Sequence, residues 1–131
     1  MGPRVHDLEV KHIVDILMQI RAGAFSFEAS NPRHEHEWTV WRDTKLPDGT
    51  ILIPGVISHS TVLVEHPELV AQRIVKYAEI VGRENVVAGT DCGFATFAGA
   101  DEIHPSIVWA KFQSLVRGAQ LASKELWGSS S

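Results

Sequence analysis

Asn85-Val86-Val87-Ala88-Gly89-Thr90-Asp91-Cys92-Gly93-Phe94 runs from an apolar segment straight into a turn that holds the chain's only cysteine. Val86 to Gly89 reads as a short buried strand, and the flanking glycines let the backbone turn sharply after it. A strand that ends this way delivers a thiol to the carboxyl end of a sheet. In α/β folds that end is where chemistry is done. A thiol there is a metal ligand, a nucleophile or a small buried side chain, since free cysteines are among the most buried residue types. The local sequence leaves the three open.

The same pattern, an apolar run ending in a polar group, occurs twice upstream. Ala24-Phe25-Ser26-Phe27-Glu28 is a short β-rich run closed by a carboxylate. Thr50 to Ile57 reads as a buried strand that ends in Ser58-His59-Ser60. Pro54 and Gly55 interrupt it, so its regular part is expected to begin at Val56. Helices alternate with these runs. Residues 8–21 place Ile13, Ile16, Leu17 and Ile20 at three- and four-residue spacing, and Gly23 stops the pattern. His34 to Arg42 reads as a short helix with Trp38 and Trp41 on one side, and Leu46-Pro47-Asp48-Gly49 as a turn. Pro67 suits the first position of a helix over 67–81 that ends at Gly82. A last helix spans 105–126, with Ile107, Val108, Ala110, Leu115, Ala119 and Leu121 as its apolar positions.

Helices and strands in alternation imply an α/β fold with parallel strands joined by right-handed crossovers. Three parallel strands make a narrow sheet, and its two outer edges lack partners. The pattern therefore predicts a piece of a larger barrel, or a subunit that completes its sheet with another chain. At 131 residues the chain is one domain at most. Residues 1–127 form the expected partial domain and 128–131 a disordered tail. The formal charge of −4 and the lack of a Lys/Arg cluster argue against a nucleic-acid surface. A single cysteine excludes an internal disulfide framework, and no stretch approaches the roughly 20 apolar residues of a membrane span. No signal peptide is visible, so a cytoplasmic location is expected.

Glu28, His59 and Cys92 each close a strand, so all three are expected at one sheet edge. Carboxylate, imidazole and thiolate are the ligand types zinc takes. At these residues the chain also resembles a known family. Phe25-Ser26-Phe27-Glu28-Ala29-Ser30-Asn31-Pro32-Arg33, then Pro54-Gly55-Val56-Ile57-Ser58-His59-Ser60, then Gly89-Thr90-Asp91-Cys92-Gly93-Phe94 resemble the C-terminal catalytic domain of cobalamin-independent methionine synthase. His34-Glu35-His36-Glu37-Trp38 and Leu46-Pro47-Asp48-Gly49 look closer to a stand-alone branch of that superfamily, which includes epoxyalkane–coenzyme M transferases.

The resemblance implies that this chain is the C-terminal portion of a (β/α)8 TIM barrel, about its last three strands. It implies a catalytic zinc with Glu28 and Cys92 among its ligands, and His59 as a nearby residue that assists proton transfer to the leaving group. It implies transfer of a methyl or alkyl group to a small-molecule thiol, homocysteine or a relative, as in methionine biosynthesis. A His-x-Cys pair that supplies the other two ligands is expected just upstream of the first helix, before this chain begins. A fragment or half-barrel subunit, as a homo-oligomer or with a partner chain, is therefore the expectation.

The remaining candidates each carry two readings. Asn31 and Arg33 follow Glu28 closely and suit an anionic substrate group or a structural turn. Asp91 borders the same substrate region, or shapes the Cys92 turn through backbone contacts. His34 and His36 suit a solvated loop, with metal donation beside Glu28 as the second option. His66 and His104 precede prolines and read as helix N-terminal residues. Trp38, Trp41 and Trp109 read as packing, with cover for an apolar substrate pocket as the alternative. The leading expectation is a zinc-dependent thiol alkyltransferase. The runner-up is a non-catalytic half-barrel that stabilises another chain, and the third is a metal-free enzyme with Cys92 as a plain nucleophile.

Overall fold

The computed structural model describes residues 9, 11, 14–20, 22–31, 34–59, 61, 63–91 and 104–128. Cys92 and Arg33 lie outside the described residues, as does His-free segment 93–103 that follows the cysteine. Three parallel strands lie in the order β1 (Ala24–Phe27), β2 (Ile51–Ile57), β3 (Gly89–Thr90). Helices α1 (Val14–Leu17), α2 (Trp38–Arg42), α3 (Pro67–Val81) and α4 (Pro105–Trp127) alternate with them. The α/β alternation expected from the sequence is the architecture observed.

β2 does not wait for Val56. It is continuous from Ile51, with Ala24 opposite Ile51 and Phe27 opposite Pro54. Ile51 donates to the Gly23 carbonyl and Leu52 accepts from the Val87 N–H, so Pro54 turns its missing N–H toward β3, where the pairing is interrupted, and not into the β1 ladder. Beyond this point β2 pairs with β3, Gly55 opposite Gly89 and Ile57 opposite Thr90, with a register irregularity between. Val86 adds a single bridge to Leu52, so the third strand is interrupted where a continuous run was expected.

α3 starts and stops where its punctuation predicts. Pro67 occupies the first turn, the His66 ring accepts from the Glu68 N–H at 3.1 Å, and Gly82 closes the helix. His104 caps α4 in the same way through the Ser106 N–H. Both histidines are N-caps, in agreement with the sequence reading. α1 ends at Leu17, short of the C-terminal end that the 8–21 periodicity predicts: after Leu17 the chain tightens into i→i−3 bonds from Gln19 and Ile20, and Ile16 and Ile20 are exposed. Of that stripe Leu17 is half-buried while Ile16 and Ile20 face out, so too little apolar surface is covered to carry the helix past Leu17.

Two apolar clusters pack against the sheet. One gathers Val14, Ala29, Trp41, Leu52 and Tyr77, with Phe27 stacked on Trp41 at 4.6 Å between ring centroids. The other gathers Val56, Ile57, Val70, Ala71, Ile74 and Ala122. Trp38 and Trp41 pack as expected, whereas Trp109 is exposed. The seam that α4 presents to the protein also differs from its apolar pattern. Its buried residues are Lys111, Ser114, Gly118 and Ala122, with Phe112, Leu115, Ala119 and Leu121 packed alongside. Gly118 explains the choice: a Cβ there would stand 2.4 Å from Val70 Cγ1 and 2.9 Å from the Pro67 carbonyl oxygen. Close approach of α3 and α4 needs small residues on that line.

Candidate active site

The carboxyl ends of all three strands meet at one carboxylate. Asp91 follows β3 directly, and its Oδ1 accepts from the backbone N–H groups of Ala29 and Ser30 at 2.9 and 3.0 Å. Its Oδ2 accepts from Asn31 Nδ2 at 2.8 Å, and the same amide donates to Glu28 Oε2 at 2.9 Å. Its own N–H donates to the Ile57 carbonyl at 3.1 Å, which ties the turn to β2. Residues some 60 positions apart are thereby locked together.

Gly55 makes this clasp possible. A Cβ on it would lie 2.2 Å from Asp91 Oδ1 and 2.7 Å from Asp91 Cα. The backbones of β2 and the Asp91 turn touch where any other residue would hold them apart. Asn31 is fully buried and Asp91 nearly so. Burial pushes the Asp91 carboxyl above its ordinary range, against the downward pull of its bonds from Ala29 and Asn31.

Glu28 lies at the end of β1, half-buried, held by Asn31 on one side and facing His34 on the other. His34 Nε2 is 3.6 Å from Glu28 Oε2, and His34 Nδ1 contacts Glu37 Oε1. Glu37 is buried at 2% exposure, while His36 is exposed. His34 therefore belongs to the site edge and His36 to the surface, a separation the i, i+2 spacing did not reveal. The signal was present in the i, i+3 pair His34 and Glu37, which a single helical turn brings together. The turn itself is pinned from outside. The Arg73 guanidinium donates to Glu35 Oε1 at 2.9 and 3.2 Å and to the Val56 carbonyl at 3.0 Å.

His59 lies two residues past β2, nearly buried, and its Nδ1 has no hydrogen-bond partner among the described residues. The segment around it is held by a buried ion pair that the sequence reading missed. Glu65 Oε2 accepts from the Ser58 N–H at 2.5 Å, and Glu65 Oε1 pairs with Lys111 Nζ at 2.8 Å. Lys111 is fully buried and also donates to the Leu63 carbonyl at 2.7 Å. A lysine four residues from Ile107 and from Leu115, inside an otherwise apolar stripe, was the available clue.

The donor types on this edge, a carboxylate and an imidazole 3.6 Å apart, are ones zinc takes. Among the described residues no group of three or more His, Cys, Asp or Glu side chains is arranged to hold a metal ion. Cys92 is the next residue after Asp91 and lies outside the described residues.

Parallel strands alternating with helices, with polar side chains gathered where the strands end, define a partial (β/α)8 barrel. A B12-independent methionine synthase from Shewanella sp. W3-18-1, solved in complex with selenomethionine, has this fold, with a TM-score of 0.75 at 21% sequence identity. The likeness covers 92% of this chain and 33% of that one, so the chain spans about a third of that protein's length. No family model and no curated protein matches the chain.

Proposed function

We propose that this chain is part of a zinc-dependent alkyltransferase that moves a methyl or alkyl group onto a small thiol such as homocysteine. The observation that supports it is the Asp91 clasp, which joins the loop carrying Glu28 to the residue that precedes Cys92. In this reading Glu28 and Cys92 hold the zinc. When bound, the metal stabilises the substrate sulfur as a thiolate, which a free thiol with a pKa of about 8.5 scarcely forms at neutral pH.

The chain's own residues do the rest. Asn31 and Asp91 fix the Glu28 carboxylate and the shape of the edge against which substrate lies, and Arg33 meets an anionic substrate group. The substrate sulfur attacks the alkyl carbon, and the bond from that carbon to the donor's heteroatom breaks with its electron pair on the heteroatom. His59 gives that atom a proton, a step to which imidazole is suited near neutrality. The resemblance in the Glu28, His59 and Cys92 motifs and the barrel fold support the same reading.

Zinc content and molar mass of a metal-replete sample test it, with thiol consumption followed in the presence of an alkyl donor. The expected result is about one zinc per chain, in an assembly larger than one chain, with zinc lost on Cys92→Ser. A chain that takes up no zinc after reconstitution overturns it. A second reading, a non-catalytic half-barrel that completes its sheet with a partner chain, draws on the outer strands β1 and β3, which pair only with β2 among the described residues. A metal-free assembly that buries both edges would establish that one instead.

A further inference from the structure

We infer that Glu65 and Lys111 are positioning residues for His59, acting through the peptide unit that precedes it; the inference rests on the reading of His59 as the proton donor. β2 ends at the peptide bond between Ile57 and Ser58, and both polar groups of that unit are engaged. The Ile57 carbonyl accepts from the Asp91 N–H at 3.1 Å, and the Ser58 N–H donates to Glu65 Oε2 at 2.5 Å. In a trans peptide these two groups point in opposite directions. The plane is therefore clamped from two sides, by the turn after β3 and by the segment before α3. His59 is the next residue along. Its ring is nearly buried, and Nδ1 has no hydrogen-bond partner among the described residues. Among those residues the clamped backbone, and not a bond to that nitrogen, sets where the imidazole stands.

Glu65 is in turn anchored from α4. Its Oε1 pairs with Lys111 Nζ at 2.8 Å, and its backbone carbonyl accepts from Ser114 Oγ, one helical turn further on. Lys111 is fully buried and also donates to the Leu63 carbonyl at 2.7 Å. The Leu63 and Val64 side chains are exposed, so apolar burial does not hold this segment and the polar bonds from α4 do. For stability alone, a buried ion pair is often matched or bettered by apolar residues of the same volume. An apolar pair lacks the carboxylate oxygen aimed at the Ser58 N–H, and a charge-assisted bond of that kind is stronger than one between neutral groups. The geometry, more than the energy, is what this pair adds to the strand end.

The test compares two double variants of the full chain that both lack the ion pair. Lys111→Met with Glu65→Gln keeps an oxygen at position 65 to accept from the Ser58 N–H, and Lys111→Met with Glu65→Leu does not. Both are compared with the wild type by the His59 imidazole Cε1–H resonance, by exchange of the Ser58 amide, and by thiol alkylation, with folding checked by circular dichroism. The Leu variant is expected to shift the His59 resonance and to speed Ser58 exchange at least about 10-fold. It should also lower kcat about 10- to 100-fold while KM for the thiol stays within about threefold, since a misplaced acid costs chemistry and not binding. The Gln variant, as the conservative rescue, is expected to keep the wild-type resonance and most of kcat. A wild-type His59 resonance in the folded Leu variant, or equal losses in both variants, makes the pair merely structural and overturns the positioning role, with the alkyltransferase reading left standing. In the wild type itself, a scalar coupling across the hydrogen bond from the Ser58 amide nitrogen to Glu65 Cδ is expected; its absence overturns the clamp with no variant needed. A wild-type chain that alkylates no thiol overturns the alkyltransferase reading instead, and the His59 resonance and Ser58 exchange still decide whether the clamp sets the ring.

Discussion

Asp91 shows how one side chain organises a whole sheet edge. Three donors converge on its carboxylate, and Gly55 leaves room for it. Gly55→Ala puts a methyl into that contact and is expected to cost about 1–3 kcal/mol, the usual range for overpacking, read as a lower urea midpoint. The same substitution loosens the Glu28 loop, so hydrogen exchange at the Ala29 and Ser30 amides should accelerate along with it. Tyr77 allows a pH prediction. Its hydroxyl is buried without a hydrogen-bond partner among the described residues, and burial, with the charges of Glu37 and Asp91, raises its pKa well above that of an ordinary phenol. A raised native pKa means the fold holds the proton more tightly than the unfolded chain does. Its contribution to stability is complete below about pH 10 and is lost as pH rises from there toward the native value. Tyr77→Phe keeps the edge-to-face contact with Phe27 and removes the hydroxyl, so stability at pH 7 should change by less than about 1 kcal/mol, because no hydrogen bond among the described residues is lost. Its alkaline unfolding limb should be shallower than that of the wild type. A variant with an unchanged alkaline limb would show that another group governs it.

Among the elements, α3 and α4 depend on a line of small residues and on one buried ion pair. Gly118→Ala gains about 1 kcal/mol of helix propensity, yet its methyl would meet Val70 and the Pro67 carbonyl. The clash is expected to win, with a net loss of about 1–2 kcal/mol in denaturant unfolding. Adding Val70→Ala should restore part of it, because the two sites share one contact and their effects are not additive. Lys111→Met leaves Glu65 buried without its cation, a change worth about 3–5 kcal/mol. Against a typical total of about 5–15 kcal/mol, that variant should unfold at markedly lower urea. α3 was legible in the sequence because Pro67, His66 and Gly82 punctuate it locally, and His104-Pro105 announces the start of α4. The face α4 buries was not, since Lys111 and Gly118 are buried for what they meet on α3 and the Leu63–Glu65 segment. Likewise, Glu28 and His59 could be placed at strand ends from their flanking residues. The clasp of Asp91 onto residues 29–31, and the turn that brings His34 to Glu28, depend on contacts that no local pattern encodes.

At the level of the molecule, the question is what lies beyond the sheet's edges. β1 and β3 each pair with β2 on one side only among the described residues, and the solved barrel this chain matches is about three times as long. Exposed parallel edges invite pairing with another chain. The 14.5 kDa chain is therefore expected to scatter light as an assembly rather than as a monomer. The parallel register tells which residue to change. Ile51 donates to the Gly23 carbonyl, so by the alternation of a parallel ladder Phe25 and Phe27 direct their N–H groups at β2, and Ser26 directs its own outward. Ser26 is exposed. Ser26→Pro removes that outward donor and leaves the inner ladder intact. If β1 is the assembling edge, the substitution should halve the measured mass or more, with the circular dichroism spectrum retained. If the mass is unchanged while the fold persists, association runs through β3 or the helices, and β1 is not the edge that meets the rest of the barrel.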